Sequence, residues 1–344
     1  MQVFYSEAHR QHAPESFITR GRAGTNPERP ERAERLIQAV RADGHAVSAP
    51  NAFEHSHLAA VHTSDYLWFL EHGLAEWRRL PDAGPEIVAN AHPSRYLATR
   101  PTGVVGLAGY HMADTACPIG EGTWPAAIAS ADCALSAAQA VRDGAAHAYA
   151  LCRPPGHHAY GDLAGGFCFL NNVAIAAQYL ASEWGRVAIL DVDVHHGNGT
   201  QGIFYERADV YFASIHADPQ AFYPYFAGYA DERGVGPGEG FNLNLPLAPG
   251  SGDDVFLEAL AGALTAIREA APAALLVSLG LDAQANDPLG VLKVSTDGFA
   301  RIAAAIAALG LPTVLVQEGG YLCDELGANL ASFLAAFAET HRLD

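Results

Sequence analysis

Short, nearly continuous apolar runs recur along the chain from about residue 125 onward. They are Ala146–Cys152, Val187–Val192 (VAILDV), Val210–Ile215 (VYFASI), Ala274–Leu281 (ALLVSLGL) and Thr313–Gln317 (TVLVQ), with Phe241–Leu245 a further candidate. Each is short enough for a strand, and longer stretches that read as helices lie between them. Those stretches are Pro125–Arg142, Asn171–Glu183, Asp253–Ala270, Asp297–Ala308 and Glu325–Glu339. The Asp253 helix opens on two acids, which favour its positive end. Strands without polar alternation, separated by helices, predict a parallel sheet buried on both faces. Earlier in the chain the pattern gives a first strand at Val3–Ser6 and a helix starting near Pro30. Between them Ala13–Arg32 reads as a long irregular loop, a length usually reserved for function or an interface. With no repeat and no strong linker, residues 1–344 are expected to form one α/β domain.

Composition narrows the classes. Half of the 344 residues are apolar, enough for a sizeable core. The longest nearly apolar stretch, Ile302–Val316, is broken by Gly310 and Pro312, so no membrane span is expected. The first residues lack the basic-then-apolar pattern of a secretory signal. With 20 basic and 38 acidic residues the net charge is −18, which repels phosphate backbones and attracts small cations. Nucleic acid is therefore not an expected partner. The five cysteines are scattered without a C-x-x-C pair, which suits reduced thiols and a cytoplasmic location.

The chemistry gathers where strands end. Sites in open parallel sheets form beyond the carboxyl ends of the strands. Arg153-Pro-Pro-Gly-His157-His158 follows one strand, Asp191-Val-Asp193-Val-His195-His196-Gly-Asn198 another, His216 a third, Asp282 a fourth and Glu318-Gly-Gly-Tyr321 a fifth. Asp193 and His195 are two apart, so on extended chain they face the same way. Asp282, from a separate strand, is the best third ligand for a metal ion. One histidine and two carboxylates leave a position open, as catalytic rather than structural zinc sites do. Such a site also needs a base, a group to orient it and an oxyanion donor. The tandem His157-His158, the orienters Asp191 and Asn198, and the Tyr321 hydroxyl supply candidates for each.

Several motifs in order resemble the histone deacetylase superfamily. They are Asn26-Pro-Glu-Arg-Pro-Glu-Arg32, Arg153–His158, Gly165-Gly-Phe-Cys-Phe-Leu-Asn-Asn172, Asp191–Thr200, Ser278–Asp282 and Glu318–Tyr321. The long first loop, Gly122-Thr-Trp124 and the run from Asp218 to Ala230 look most like its acetylpolyamine amidohydrolase branch. The resemblance implies the arginase/deacetylase fold, with a central eight-stranded parallel sheet flanked by helices. It implies one catalytic Zn2+ held by Asp193, His195 and Asp282, with His158 as base, His157 paired to Asp191 as its partner, and Tyr321 as oxyanion donor. Gly166 and Phe167 would line a tunnel with Tyr223 opposite, and Arg32 would stand behind the site. A structural K+ would be held by main-chain oxygens of Asp191, Asp193, His195, Ser214 and Ile215. The implied activity is deacetylation of a small acetylated amine, with a protein acetyl-lysine deacetylase, or a hydrolase of another small amide, as the alternative. The implied assembly is a homodimer through the 13–32 loop.

Two departures shape the expectations. Asn198 replaces the Asp that some members pair with the second histidine, and without its charge the pKa of His158 should be raised less. Polyamine-specific members tend to carry a carboxylate in the segment matching Thr102–Tyr110, which here has none, and Ala116 is also neutral. Glu15 and Glu28 of the first loop are the acids expected to be able to substitute. Arginase-like two-manganese chemistry is set aside, because Gly280 and Gly197 stand where bridging carboxylates would be needed.

Overall fold

The computed structural model describes residues 1–96 and 98–341. Among the described residues ten strands form in chain order: β1 (Gln2–Phe4), β2 (Ser16–Thr19), β3 (Arg22–Thr25), β4 (Ala46–Ser48), β5 (His147–Ala150), β6 (Val187–Asp191), β7 (Val210–Ala217), β8 (Asn242–Leu247), β9 (Leu275–Leu279) and β10 (Thr313–Gln317). Eight of them build one sheet in the order β4-β1-β5-β10-β9-β6-β7-β8. Every neighbouring pair in it is parallel. The parallel sheet expected from the apolar runs, and the eight strands that the family resemblance implies, are thus observed.

The runs are apolar throughout because both faces are covered. Tyr149, Leu190, Val277 and Leu315 point to one side, against helices Pro30–Ala42, Asp253–Ala270, Thr296–Ala307 and Leu326–Thr340. Their neighbours Ala148, Ile189, Leu276 and Val314 point to the other, against Thr123–Arg142 and Asn172–Trp184. A third cluster, around Tyr66, Phe69 and Phe169, closes the fold above the Asn172 helix. Among the described residues no helix is long and apolar enough to cross a membrane.

The first loop differs from the reading. Residues Ser16–Thr25 form an antiparallel hairpin, with Ser16 opposite Thr25 and Thr19 opposite Arg22. Its turn residues Arg20 and Gly21 both have positive φ (50° and 74°), the pairing that two-residue hairpins favour. The arginine at the first turn position hid this signal. Glu86 fixes the hairpin's base by accepting from the backbone N–H of Glu15 and Ser16, each at 2.9 Å. Strand β4 is only three residues long and offers no periodicity to read. Helices Ser64–Trp77 and Val104–His111 complete the part of the fold for which the pattern gave no element.

Candidate active site

The carboxyl ends of β5, β6, β9 and β10 deliver the chemistry to one place. Asp191 ends β6, with Ser278 of β9 on one side and Ser214 of β7 on the other. The chain then leaves the sheet and presents Asp193 and His195. His195 Nδ1 lies 3.1 Å from Asp193 Oδ1 and 3.2 Å from Asp282 Oδ2. One ligand atom from each of the three residues falls within 4.8 Å of the other two, and all three residues are buried.

This centre fits a metal ion on its own chemistry. Asp193 Oδ2 accepts from Gly319 N–H at 2.8 Å, and Asp282 Oδ1 accepts from Val194 N–H at 3.0 Å. Those bonds fix both carboxylates and leave buried Asp282 Oδ2 facing only the His195 ring, at 3.2 Å. Two buried carboxylates around one imidazole call for positive charge. Burial would depress the His195 pKa, but the bonds and charges of Asp193 and Asp282 lift it to about 9. A hard or borderline divalent cation suits an Asp–His–Asp donor set. Side chains that would bridge a second metal have no room at these positions. A Cβ on Gly280 would fall 2.2 Å from Asp193 Oδ2, and one on Gly197 2.2 Å from Asp191 Oδ2.

The tandem histidines sit beside this triad and differ in protonation. The two rings lie 4.0 Å apart. His157 Nδ1 is 2.9 Å from Asp191 Oδ2. Burial opposes its charge, but the carboxylates of Asp191 and Asp193 prevail and lift its pKa to about 10. His158 Nδ1 is 2.6 Å from the amide oxygen of Asn198, a neutral partner. Burial, followed by the positive charges of His157 and His195, holds the His158 pKa well below the usual imidazole range. One ring is therefore cationic and the other neutral at pH 7, although the two are sequence neighbours.

Tyr321 is buried, and burial pushes its phenol pKa far up despite the Arg32 guanidinium nearby. It therefore keeps its proton as a donor. Arg32 sits 4.6 Å over its ring and donates to Gly320 O (2.6 Å) and Glu318 O (2.8 Å), pinning the Glu-Gly-Gly-Tyr turn from behind. Gly319 must be glycine, since a Cβ there would lie 2.0 Å from Asp282 Oδ2.

Of the residues expected to line a tunnel, Gly166 and Phe167 both adopt positive φ (51° and 70°), and Gly166 lies against the His158 ring. Phe167 contacts the Tyr321 ring at 5.7 Å, and the Tyr223 ring meets His158 edge-on at 4.9 Å. Other sequence candidates lie elsewhere. His196 and His216 pack with tilted rings, centroids 4.6 Å apart, in a separate buried network with Asn244 and Gly228. The two first-loop acids named as substitutes take different places. Glu28 is wholly buried between Arg32 and Arg153, at 2.7 and 2.9 Å, because two guanidiniums there require a counter-charge. Glu15 is exposed at the hairpin's base.

Two acids escaped the sequence reading. Glu318 Oε2 accepts from the N–H groups of Gly156 (2.6 Å) and His157 (3.0 Å), tying the tandem-histidine loop to the tyrosine loop. Burial raises its pKa to about 7. Asp287 accepts from Tyr321 N–H at 2.7 Å, and burial followed by the charge of Asp282 raises its pKa to about 7. Glu318 stood inside a quoted motif, but Asp287 carries no spacing signal.

An Asp–His–Asp centre beside paired histidines, on this sheet order, defines a class. Residues 26–337 match the histone deacetylase domain, and the chain belongs to that family. Within it, the chain is 52% identical to the acetylpolyamine amidohydrolase of Burkholderia pseudomallei, over 95% of each chain. It is 46% identical to acetylpolyamine amidohydrolase 1 of Pseudomonas aeruginosa, covering 98% of this chain and 99% of that one. The crystal structure of acetylpolyamine aminohydrolase from Burkholderia pseudomallei superposes with a TM-score of 0.96 at 50% identity, over 99% of both chains. The resemblance to the acetylpolyamine amidohydrolase branch, first drawn from the motifs, is borne out.

Proposed function

We propose that this chain is a zinc-dependent amidohydrolase that removes the acetyl group from small acetylated amines, releasing acetate and the free amine. The observation that carries the reading is the convergence of Asp193, His195 and Asp282 beside a neutral His158 and a protonated Tyr321. The names and full-length similarity of the amidohydrolase relatives support the substrate class.

Asp193, His195 and Asp282 would hold the zinc, which when bound polarises an acyl oxygen and acidifies water at the open position. The chain's own groups then divide the work. Asn198 accepts the Nδ1 proton of His158, which leaves Nε2 free to take a proton from the attacking water. His158 later returns that proton to the leaving amine. His157, kept cationic by Asp191, places positive charge beside the developing negative charge. Tyr321 donates its phenolic hydrogen to the oxyanion. Gly166, Phe167 and Tyr223 line the approach to His158.

The same reading places K+ on main-chain oxygens of Asp191, Asp193, His195, Ser214 and Ile215. In its support, Asp191 and Ser214 are register partners on β6 and β7. It also makes the enzyme a cytoplasmic homodimer joined through the hairpin.

Two measurements test it. Metal analysis should return one zinc per chain in the wild type and none in Asp282→Ala, with activity lost in step. A kcat/KM panel of acetylputrescine, acetylcadaverine, acetylspermidine and an acetyl-lysine histone peptide should favour the small amines. A higher value on the peptide than on every small amine would promote the protein deacetylase instead.

A further inference from the structure

The acid missing from Thr102–Tyr110 has a counterpart four residues on. Asp114 belongs to the segment that runs beside the glycine loop. Ala113 N–H donates to Ala164 O at 2.7 Å, and Ala164 N–H donates to His111 O at 2.8 Å. That pairing carries Asp114 to the tunnel, where one carboxylate oxygen serves both walls. Its Oδ2 accepts from Gly166 N–H at 3.0 Å and from the Tyr223 hydroxyl at 2.7 Å. Its Oδ1 accepts from Ala116 N–H at 2.8 Å, which fixes the carboxylate's own orientation.

The walls joined in this way are the ones that face the base. A Cβ on Gly166 would lie 2.4 Å from the His158 ring and 2.9 Å from the Tyr223 hydroxyl. A Cβ on Gly165 would lie 3.3 Å from Asp114 Oδ2 and 3.5 Å from the same hydroxyl. The glycine loop, the phenol and the carboxylate are therefore packed to contact, and the Gly166–Phe167 turn is held in the positive-φ region that a non-glycine residue such as Phe167 rarely enters. Phe222, next to Tyr223, stacks on His195 at 4.9 Å, so a shift of this wall is felt at the centre.

We infer that Asp114 is a positioning residue for the tunnel, a single carboxylate that sets the spacing of its two walls by holding Gly166 and Tyr223 at once. This rests on the amidohydrolase reading for its kinetics but not for its physical content. With all three hydrogen bonds drawn inward, Asp114 acts through the walls and does not serve as an anchor for the substrate's distal ammonium. Misplacement of a bound acyl group by a fraction of an ångström to an ångström is costly to rate.

The test compares wild type, Asp114→Asn, Tyr223→Phe and the double variant. The substrates are a cationic acetylated diamine and a neutral N-alkylacetamide of equal length. Asp114→Asn should lower kcat/KM about tenfold on both substrates alike, the loss falling mainly in kcat as orientation is relaxed. Adding Tyr223→Phe to that variant should cost less than it costs alone, because its partner is already gone. A loss confined to the cationic substrate would overturn the inference and make Asp114 an ammonium anchor. Thermal denaturation of the same four proteins reads the contact without any catalysis. The double variant should melt no lower than the worse single variant. Additive losses in melting temperature would overturn the inference even if no acetamide proved to be a substrate, whereas sub-additive melting in an inactive wild type would reject only the amidohydrolase reading.

Discussion

His158 and Asn198 meet at 2.6 Å through Nδ1 and Oδ1, while the Asn198 amide nitrogen donates to the Tyr160 hydroxyl at 3.2 Å. In this orientation the amide's oxygen faces the histidine and its nitrogen faces the phenol. An asparagine holds the tautomer without adding charge. An aspartate in its place would favour the imidazolium and raise the His158 pKa. Asn198→Asp should therefore keep the base protonated to higher pH, shifting the acid limb of kcat/KM upward by about one unit. A pH–rate profile superimposable on that of the wild type would show that residue 198 does not tune the base.

Tyr321 is held on three sides, by Asp287 at its N–H, Arg32 behind its ring and Phe167 in front. Its ring should stay in place when the hydroxyl is removed. Tyr321→Phe is expected to retain zinc and substrate affinity while kcat falls about 10²–10³-fold, the usual loss for one oxyanion donor. Measuring kcat beside zinc content checks this, and a fall of less than threefold would remove Tyr321 from the donor role.

The legible parts of this protein were those with a repeating physical signal. Strands such as Val187–Asp191 and Leu275–Leu279 announced themselves because both sheet faces are covered, leaving no polar alternation to confuse the pattern. The site followed, since strand ends fix where polar residues collect, although Asp193 and His195 converge through a bend beyond β6 and not on extended chain. What stayed hidden depends on contacts between distant segments. Asp114 meets Gly166 and Tyr223 across 52 and 109 residues, and no local spacing encodes that. Glu28 looked like a free loop acid until its burial between two arginines was seen. The hairpin was read as irregular because Arg20-Gly21 lacks the Asn or Asp that marks such turns.

The hairpin bears on assembly. Phe17 touches Phe167 with ring centroids 5.8 Å apart, so β2 stands against the Gly166–Phe167 loop, while Ile18 is 47% exposed beside it. A two-stranded hairpin has edges on which a second chain can pack. If the hairpin packs on a second copy, sedimentation at micromolar concentration should show a dimer, and Ile18→Glu should shift it toward monomer. A wild-type monomer under those conditions would refute the dimer.

His62 offers the cleanest test of the buried electrostatics. It is wholly buried, accepts from Asn171 N–H through Nε2 at 3.0 Å, and has its pKa lowered by burial from 6.5 to about 4. Above pH 6.5 it is neutral in both folded and unfolded chains and contributes nothing to the pH dependence. Below that, the unfolded chain takes up a proton that the folded chain refuses, so stability falls until the pH reaches about 4. The slope is up to about 1.4 kcal/mol per pH unit for one such group. The whole-protein profile cannot isolate it, because Glu318 and Asp287, with pKa values raised to about 7, bind protons on folding and give the opposite slope. His62→Gln keeps an acceptor for Asn171 and removes the titration. Urea denaturation of both proteins from pH 7.5 to 4.5 should show the variant gaining on the wild type steadily below pH 6.5. Profiles that stay parallel across that range would mean that His62 takes up its proton in the folded state as readily as in the unfolded one.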